Sequence, residues 1–249
     1  MPIELLKKLT SKKHIILTKS GNQALKEVIK LFKDKTFLIS QEGGWYTHRQ
    51  FPKRLQEIIT TDCNISLTDL KNKANSNTIL LINSLSAYSS PQPMEEIQKI
   101  CKEKKCLILN DVSGSIGTEN AKIGDFIVGS FGKAKPINLE YGGFIASDKV
   151  LDIQITFDKQ KLKQLEDKLV QLPSRLKTLY SLAETVKKDL KDFKIFNKKQ
   201  KGLNVITEFN QEIIDYCKKN KYKYFICPNY IKINKKAISI ELKRFKNSF

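Results

Sequence analysis

Arginine is scarce in this 249-residue chain: Arg49, Arg54, Arg175 and Arg244 are the only ones among 45 basic residues, and the rest are lysine. Specific phosphate and base readout favours the planar arginine fork. The formal charge of +19 therefore has two readings. One is a solvated, lysine-biased surface of the kind AT-rich or heat-adapted genomes produce, and the other is a basic patch that binds RNA or DNA by counterion release. The first is simpler, and nucleic acid stays as a secondary candidate partner. Histidine is scarcer still: His14 and His48 are too few and too far apart for a histidine-rich metal site. The five cysteines, at 63, 101, 106, 217 and 227, are odd in number and form no CxxC pair, which argues against structural zinc and disulfides. Long apolar runs are lacking too. Nothing approaches the roughly 18–20 residues of a membrane helix, and the start MPIELLKKLTSKKHIIL has no apolar stretch leading to a small-residue cleavage site. A cytoplasmic protein with no bound metal and no membrane contact is expected.

What the chain does have is a series of short apolar runs between residues 36 and 148: TFLIS (36–40), EIITTD (57–62), TILLINS (78–84), CLILND (106–111), DFIVGSF (125–131) and GGFIAS (142–147). Between several of them lie amphipathic helical stretches, GNQALKEVIKLF (21–32) and MEEIQKICKEKK (94–105), whose apolar residues recur at helical spacing. Near-continuous apolar strands are buried on both faces, the mark of a mostly parallel sheet covered by helices. Residues 1–150 are therefore expected to form one α/β domain. Residues 158–192 read as a charged, leucine-spaced helical region that Pro173 should kink or split. Then come LNVITEF (203–209), QEIIDYCKKN (211–220), YKYFIC (222–227), YIKIN (230–234) and AISIEL (237–242), a small α+β domain over 151–249 that should pack on the first.

Ligands in open α/β sheets bind at the carboxyl ends of the strands, and four features fall there. In LTKSGNQAL (17–25), Ser20 and Gly21 precede a helix. They could hold a phosphate at the positive end of its dipole together with Asn22 and Gln23, or Ser20 could simply cap the helix. LILNDVSG (107–114) delivers Asp111 at a strand end, where a carboxylate must meet a cation or donor, or else caps the following turn. EGGWYTH (42–48) offers Trp45 or Tyr46 to a flat ligand or to the core. SFGKAKPINLEYGG (130–143) puts Lys133 and Lys135 in a loop aimed at the same crevice. There a desolvated amine can attack an aldehyde, although either lysine alone could as well be a solvated surface residue.

Taken in order, these motifs resemble those of fold-type-I pyridoxal-phosphate enzymes, and particularly the DegT-like aminotransferases. That family carries a TSGTAAL-like phosphate loop, an aromatic, an EDAAH-like aspartate strand and an SFHxTK segment followed by GG. The resemblance covers residues 14–150 by motif and the remainder by element order. It implies a seven-stranded-type sheet, with Lys135 rather than Lys133 forming a Schiff base to pyridoxal 5'-phosphate and Asp111 facing the pyridinium nitrogen. It further implies Ser20, Gly21, Asn22 and Ser130 on the phosphate, and Trp45, or else Tyr46, on the ring. The sequence departs from the pattern at Asn22-Gln23 and at Gly114, where a His or Gln is usual. Relatives often use an arginine of the small domain for a substrate carboxylate. Around KKAISIELKRF (235–245) the chain offers Lys235, Lys236 and Arg244, with Arg49 as another candidate.

The resemblance thus implies a homodimeric aminotransferase acting on a small amino compound. A lyase or desulfurase would use the same apparatus, but neither Cys217 on a helix nor Cys227 in a strand reads as the mobile thiol a desulfurase needs. A non-catalytic descendant with a nucleic-acid-binding surface is the alternative of a different class.

Overall fold

Seven strands, β1 (His14–Thr18), β2 (Thr36–Ser40), β3 (Leu55–Ile58), β4 (Thr78–Asn83), β5 (Leu107–Asp111), β6 (Phe126–Ser130) and β7 (Gly143–Ser147), form one sheet in the order β1-β7-β6-β5-β4-β2-β3. They are seen in a computed structural model that describes residues 1–229 and 231–245. Strands β6, β5, β4, β2 and β3 pair in parallel. Strand β7 is antiparallel to both its neighbours, so it alone runs against the rest.

Alternation along the strands builds two cores. Phe37, Ile39, Ile79 and Leu81 face one way, and Leu38, Leu80 and Ile82 the other, as a period of two requires. Helix α1 (Pro2–Thr10) opens the chain, ahead of β1. Helix α2 (Gly21–Lys30) covers the first face with Ala24, Leu25, Val28 and Ile29. After α3 (Thr47–Gln50), helices α4 (Leu67–Lys73) and α5 (Met94–Glu103) cover the second with Leu70, Met94, Ile97 and Cys101. All six residues of β4 are buried. Each fully buried Ile or Leu contributes roughly 1.5–3 kcal/mol, so this central strand holds the layers together. Trading any of its apolar residues for a charge would break the sheet at its centre.

The helical region does not split at Pro173. Helix α6 (Leu162–Asp189) runs unbroken through it. Proline costs the helix one backbone bond to the residue four earlier, yet Leu165, Leu169, Leu172, Leu176 and Leu179 are buried on both sides of it in one cluster, while Pro173 itself is exposed. Packing along the whole apolar stripe outweighs one missing bond. Further on, Ala183, Val186 and Leu190 enter a different cluster. That cluster includes α7 (Gln211–Lys219) and part of a four-stranded antiparallel sheet of β8 (Ile195–Phe196), β9 (Val205–Glu208), β10 (Tyr224–Cys227) and β11 (Ala237–Ile240), ordered β8-β9-β11-β10.

Other boundaries differ from the sequence expectation. EIITTD is not one strand: β3 ends at Ile58, and Thr60–Thr61 turns back on Asn64–Ile65 as a separate hairpin. In YIKIN, Tyr230 lies outside the described residues, and 231–236 are turn and coil instead of strand. The small sheet is tied to the large one through backbone bonds, Gly43 N to Lys232 O at 3.0 Å and Leu203 N to Tyr88 O at 2.7 Å.

Candidate active site

The carboxyl ends of β5 and β6, the amino end of α2, the turn after β2 and the segment around 231–244 enclose a cavity of about 290 Å³. Two glycines allow these elements to meet. A Cβ on Gly21 would lie 2.5 Å from Ser130 Cβ, and one on Gly143 would lie 2.6 Å from both Gly21 N and Gly129 O. The paired glycines that close the loop carrying Lys133 and Lys135 thus bring β7 against the start of α2.

Ser20 caps α2, accepting from Gln23 N at 3.1 Å, and Gln23 Oε1 accepts from Lys19 N at 3.0 Å. Capping does not use up the site. The N–H groups of the first helical residues have no acceptor within the helix, and Gly21 and Asn22 both line the cavity. Asn22 Oδ1 receives Trp45 Nε1 at 3.2 Å, which fixes the indole at the cavity wall. Ser130 Oγ accepts from Gly132 N at 3.1 Å and so keeps its own O–H to donate.

Asp111 is buried at the end of β5. Its Oδ1 accepts from Ser113 N at 2.9 Å, and its Oδ2 lies 3.1 Å from Nε2 of His48, which is also buried. Burial works to raise the carboxyl pKa, but the His48 hydrogen bond and charge, with the Ser113 contacts, outweigh it and hold Asp111 below the usual aspartate range. Asp111 is therefore a carboxylate even in this enclosed place.

Lys135 reaches the cavity from the loop after β6, with Nζ bonded to the Tyr88 hydroxyl, 5.2 Å from the centre of a Trp45 ring and 4.9 Å from that of Tyr88. A desolvated crevice lysine is expected to have a lowered pKa, and here the outcome is reversed. Burial does pull it down, but Tyr88 chiefly, then Asp111 and Glu241, leave it above the ordinary lysine value. The amine is held charged until that environment changes. Tyr88 and the preceding Ala87 both have positive φ, 61° and 52°, a costly conformation for such residues. Their turn sets the Tyr88 ring over Gly114, where an added Cβ would come within 2.9 Å of it. The position at which a histidine or glutamine is usual is thus occupied by the tyrosine's space.

On another wall stand Lys232, Glu241, Lys243 and Arg244. Glu241 is held well below the usual carboxylate range: burial opposes this, and Lys232 and Lys243 overcome it. Of the other residues expected at the site, Lys133 lines the cavity. Tyr46 does not; it is 38% exposed and packs against Trp45 at 4.6 Å. Arg49 is not at the cavity wall either, since Glu57 engages its guanidinium, which also donates to Gln41 O at 3.1 Å. Lys235 pairs with Asp62 at 2.6 Å, and Lys236 lies over Phe209. Arg244 does line the cavity, 3.7 Å from Glu241. His48, Tyr88, Lys232, Glu241 and Lys243 were not legible as site residues. The one available signal was the strand alternation that sets Glu241 on the same face as buried Ser239.

The sequence model of the DegT/DnrJ/EryC1/StrS aminotransferase family matches residues 54–199, more than half of the chain. The chain belongs to this family. It is a pyridoxal-phosphate-dependent aminotransferase. Among solved structures, the aminotransferase is similar to Helicobacter pylori PseC, an aminotransferase involved in the biosynthesis of pseudoaminic acid, at 16% identity and a TM-score of 0.76 over 96% of this chain and 84% of that one. It is also similar to a DegT DnrJ EryC1 StrS aminotransferase from Brucella abortus (12%, 0.75, 96% and 83%) and to a NifS-like protein from Rickettsia africae (15%, 0.71, 99% and 83%). At these identities the likenesses speak for the fold alone. No curated protein matches the chain in sequence.

The residues present fit the cofactor. Its phosphate requires donors, and the start of α2 with the Ser20 and Ser130 hydroxyls, all at the cavity wall, would supply them. Its ring requires an apolar face and a carboxylate for the nitrogen, which Trp45 and the ionised Asp111 at the cavity wall would provide. Its aldehyde requires an amine, and the half-buried Lys135 lines the same cavity. Among the described residues no group of three or more His, Cys, Asp or Glu is placed to hold a metal, and no helix is long and apolar enough to cross a membrane.

Proposed function

We propose that Lys135 is the covalent attachment point for pyridoxal phosphate and that the enzyme moves an amino group between small amino and carbonyl compounds. The observation that supports this best is the convergence of Lys135, ionised Asp111, Trp45 and the α2 amino end on one cavity. When bound, the cofactor supplies an electron sink for negative charge at the substrate α-carbon. Asp111, kept ionised by His48, would hold the ring nitrogen and keep it protonated. Trp45 covers a ring face and excludes water from it, held in place by Asn22. Ser20, Gly21, Asn22 and Ser130 take the phosphate. The Lys135 amine would remove and return the substrate α-proton, and the Tyr88 hydroxyl, bonded to Nζ, is positioned to exchange a proton with it.

A desulfurase would need an accessible nucleophilic thiol, whereas all five cysteines are buried, which favours amino transfer. The chain is read as a large cofactor-binding domain, 1–150, and a small domain, 151–249, that closes the cavity with its 231–244 segment. The family resemblance supports a homodimer, and a cytoplasmic location is part of the same proposal.

The test is to mix full-length protein with pyridoxal phosphate, reduce with borohydride and map the modified peptide by mass spectrometry. The modification is expected on Lys135, retained in Lys133→Ala and lost in Lys135→Ala. Its absence from folded wild-type protein would refute the assignment.

A further inference from the structure

We infer that Glu42 is a positioning residue. It acts as a clasp between the turn that carries Trp45 and His48 and the 232–234 segment beside the small sheet, and Trp45 keeps its place at the cavity wall only while the clasp is closed. This rests on the reading above, in which Trp45 covers the cofactor ring. Glu42 is 6% exposed, and its two oxygens face different parts of the chain. Oε2 accepts from Cys63 N at 2.8 Å and from Thr60 Oγ1 at 3.1 Å, both on the hairpin that follows β3, and Oε1 accepts from Asn234 N at 2.6 Å. Neighbouring bonds close on the same place, since Lys232 O receives Gly43 N at 3.0 Å and Cys63 Sγ at 3.0 Å.

The donor set explains why a carboxylate stands here. All three partners are neutral donors, two of them backbone N–H groups. A carboxylate accepts at both oxygens, whereas a glutamine would turn its own NH2 toward one side. A carboxylate taken out of water is costly unless donors meet it, and here they do so only when the hairpin, the turn and the 232–234 segment are together. The turn carries that condition into the site. Gly43, at φ 78°, gives its N–H to Lys232 O and takes Ala87 N on its carbonyl at 3.0 Å, and Ser86 leaves no room for a Cβ there. Two residues on, Trp45 gives Nε1 to Asn22 at 3.2 Å, and its carbonyl takes His48 N at 2.9 Å. One short stretch after the clasp thus holds both the indole at the cavity wall and the imidazole that keeps Asp111 ionised. A ligand that needs the closed arrangement binds more weakly in proportion to the fraction of molecules that have lost it.

Trp45 is the only tryptophan in the sequence, so its fluorescence reports its own surroundings. The experiment is acrylamide quenching of the cofactor-free, full-length protein, followed by titration with pyridoxal phosphate and a melting curve. In folded Glu42→Gln the indole is expected to be quenched more steeply and to emit at longer wavelength than in wild type. The cofactor should bind about tenfold more weakly, the equivalent of one buried hydrogen bond. Thr60→Val removes one of the three donors and should shift both readings in the same direction by less, which keeps the test decisive where Glu42→Gln does not fold. Glu119→Gln, at an exposed residue paired with Lys122, should match wild type. A purely structural contact would lower the melting point and leave the indole as shielded as before. Unchanged quenching in these variants, or altered quenching with cofactor binding as in wild type, would overturn the assignment even where borohydride mapping has placed the cofactor on Lys135. An indole released by Glu42→Gln in a protein that fails the Lys135 mapping would instead sink the amino-transfer reading and leave the clasp standing.

Discussion

Replacing His48 with alanine isolates the contact that keeps the buried aspartate ionised. Nε2 of His48 lies 3.1 Å from Asp111 Oδ2, while the other carboxylate oxygen keeps Ser113 N at 2.9 Å. A hydrogen bond to a charged group contributes about 1.5–3 kcal/mol. Because Asp111 keeps one donor, the loss should stay in that range and below the ~3–5 kcal/mol of stripping a buried pair completely. In a chain of this size each kcal/mol moves the melting point by about 2–4 °C, so His48→Ala should melt roughly 3–12 °C lower, read by calorimetry on cofactor-free protein at neutral pH. His14→Ala, at an exposed position on β1, is the control and should barely move. The pH dependence has a definite sign. Asp111 has a folded pKa below its ordinary 3.8, so its stabilisation is complete above that value and is lost as pH falls through the lowered one. The deficit of His48→Ala should accordingly be full at neutral pH and shrink on acidification below 3.8. An unchanged melting point at neutral pH, or a deficit that grows in acid, would refute the argument.

Two further outcomes are expected. Tyr88→Phe removes the chief group that raises the Lys135 pKa, so borohydride trapping of the cofactor should reach its half-maximum at lower pH than in wild type; a shift to higher pH would contradict the assigned role. Pro173→Ala should restore a backbone bond at an exposed position inside α6 and stabilise by about 1–3 kcal/mol, seen as a raised midpoint in urea; a lowered midpoint would mean that the proline is needed there.

The strands β2, β4, β5, β6 and β7 were legible because burial on both faces leaves nearly unbroken apolar runs. Strand β1 was not, since HIILT is short, edges the sheet and is only partly buried. Of the kink or split expected at Pro173, the split does not occur, because the leucine stripe that spans it packs as one face. At the site, Ser20, Trp45, Asp111 and Lys135 could be read from their order along the chain, and the fold brings them to one cavity. His48 could not, because what gives it meaning is a contact with a residue 63 positions away. Tyr88 acquires its place from a strained turn, and Lys232 and Lys243 from the return of the last strand beside it. Arg49 looked available only because its partner Glu57, on β3, is brought to it by sheet pairing.

Tyr88 is grasped at both ends. Its hydroxyl meets Lys135, and its carbonyl receives Leu203 N at 2.7 Å and Asn204 N at 2.9 Å, immediately before β9. One tyrosine therefore works as a tether between the reacting lysine and the frame of the small sheet. The placement of that sheet and the placement of the amine are thus joined through a single residue.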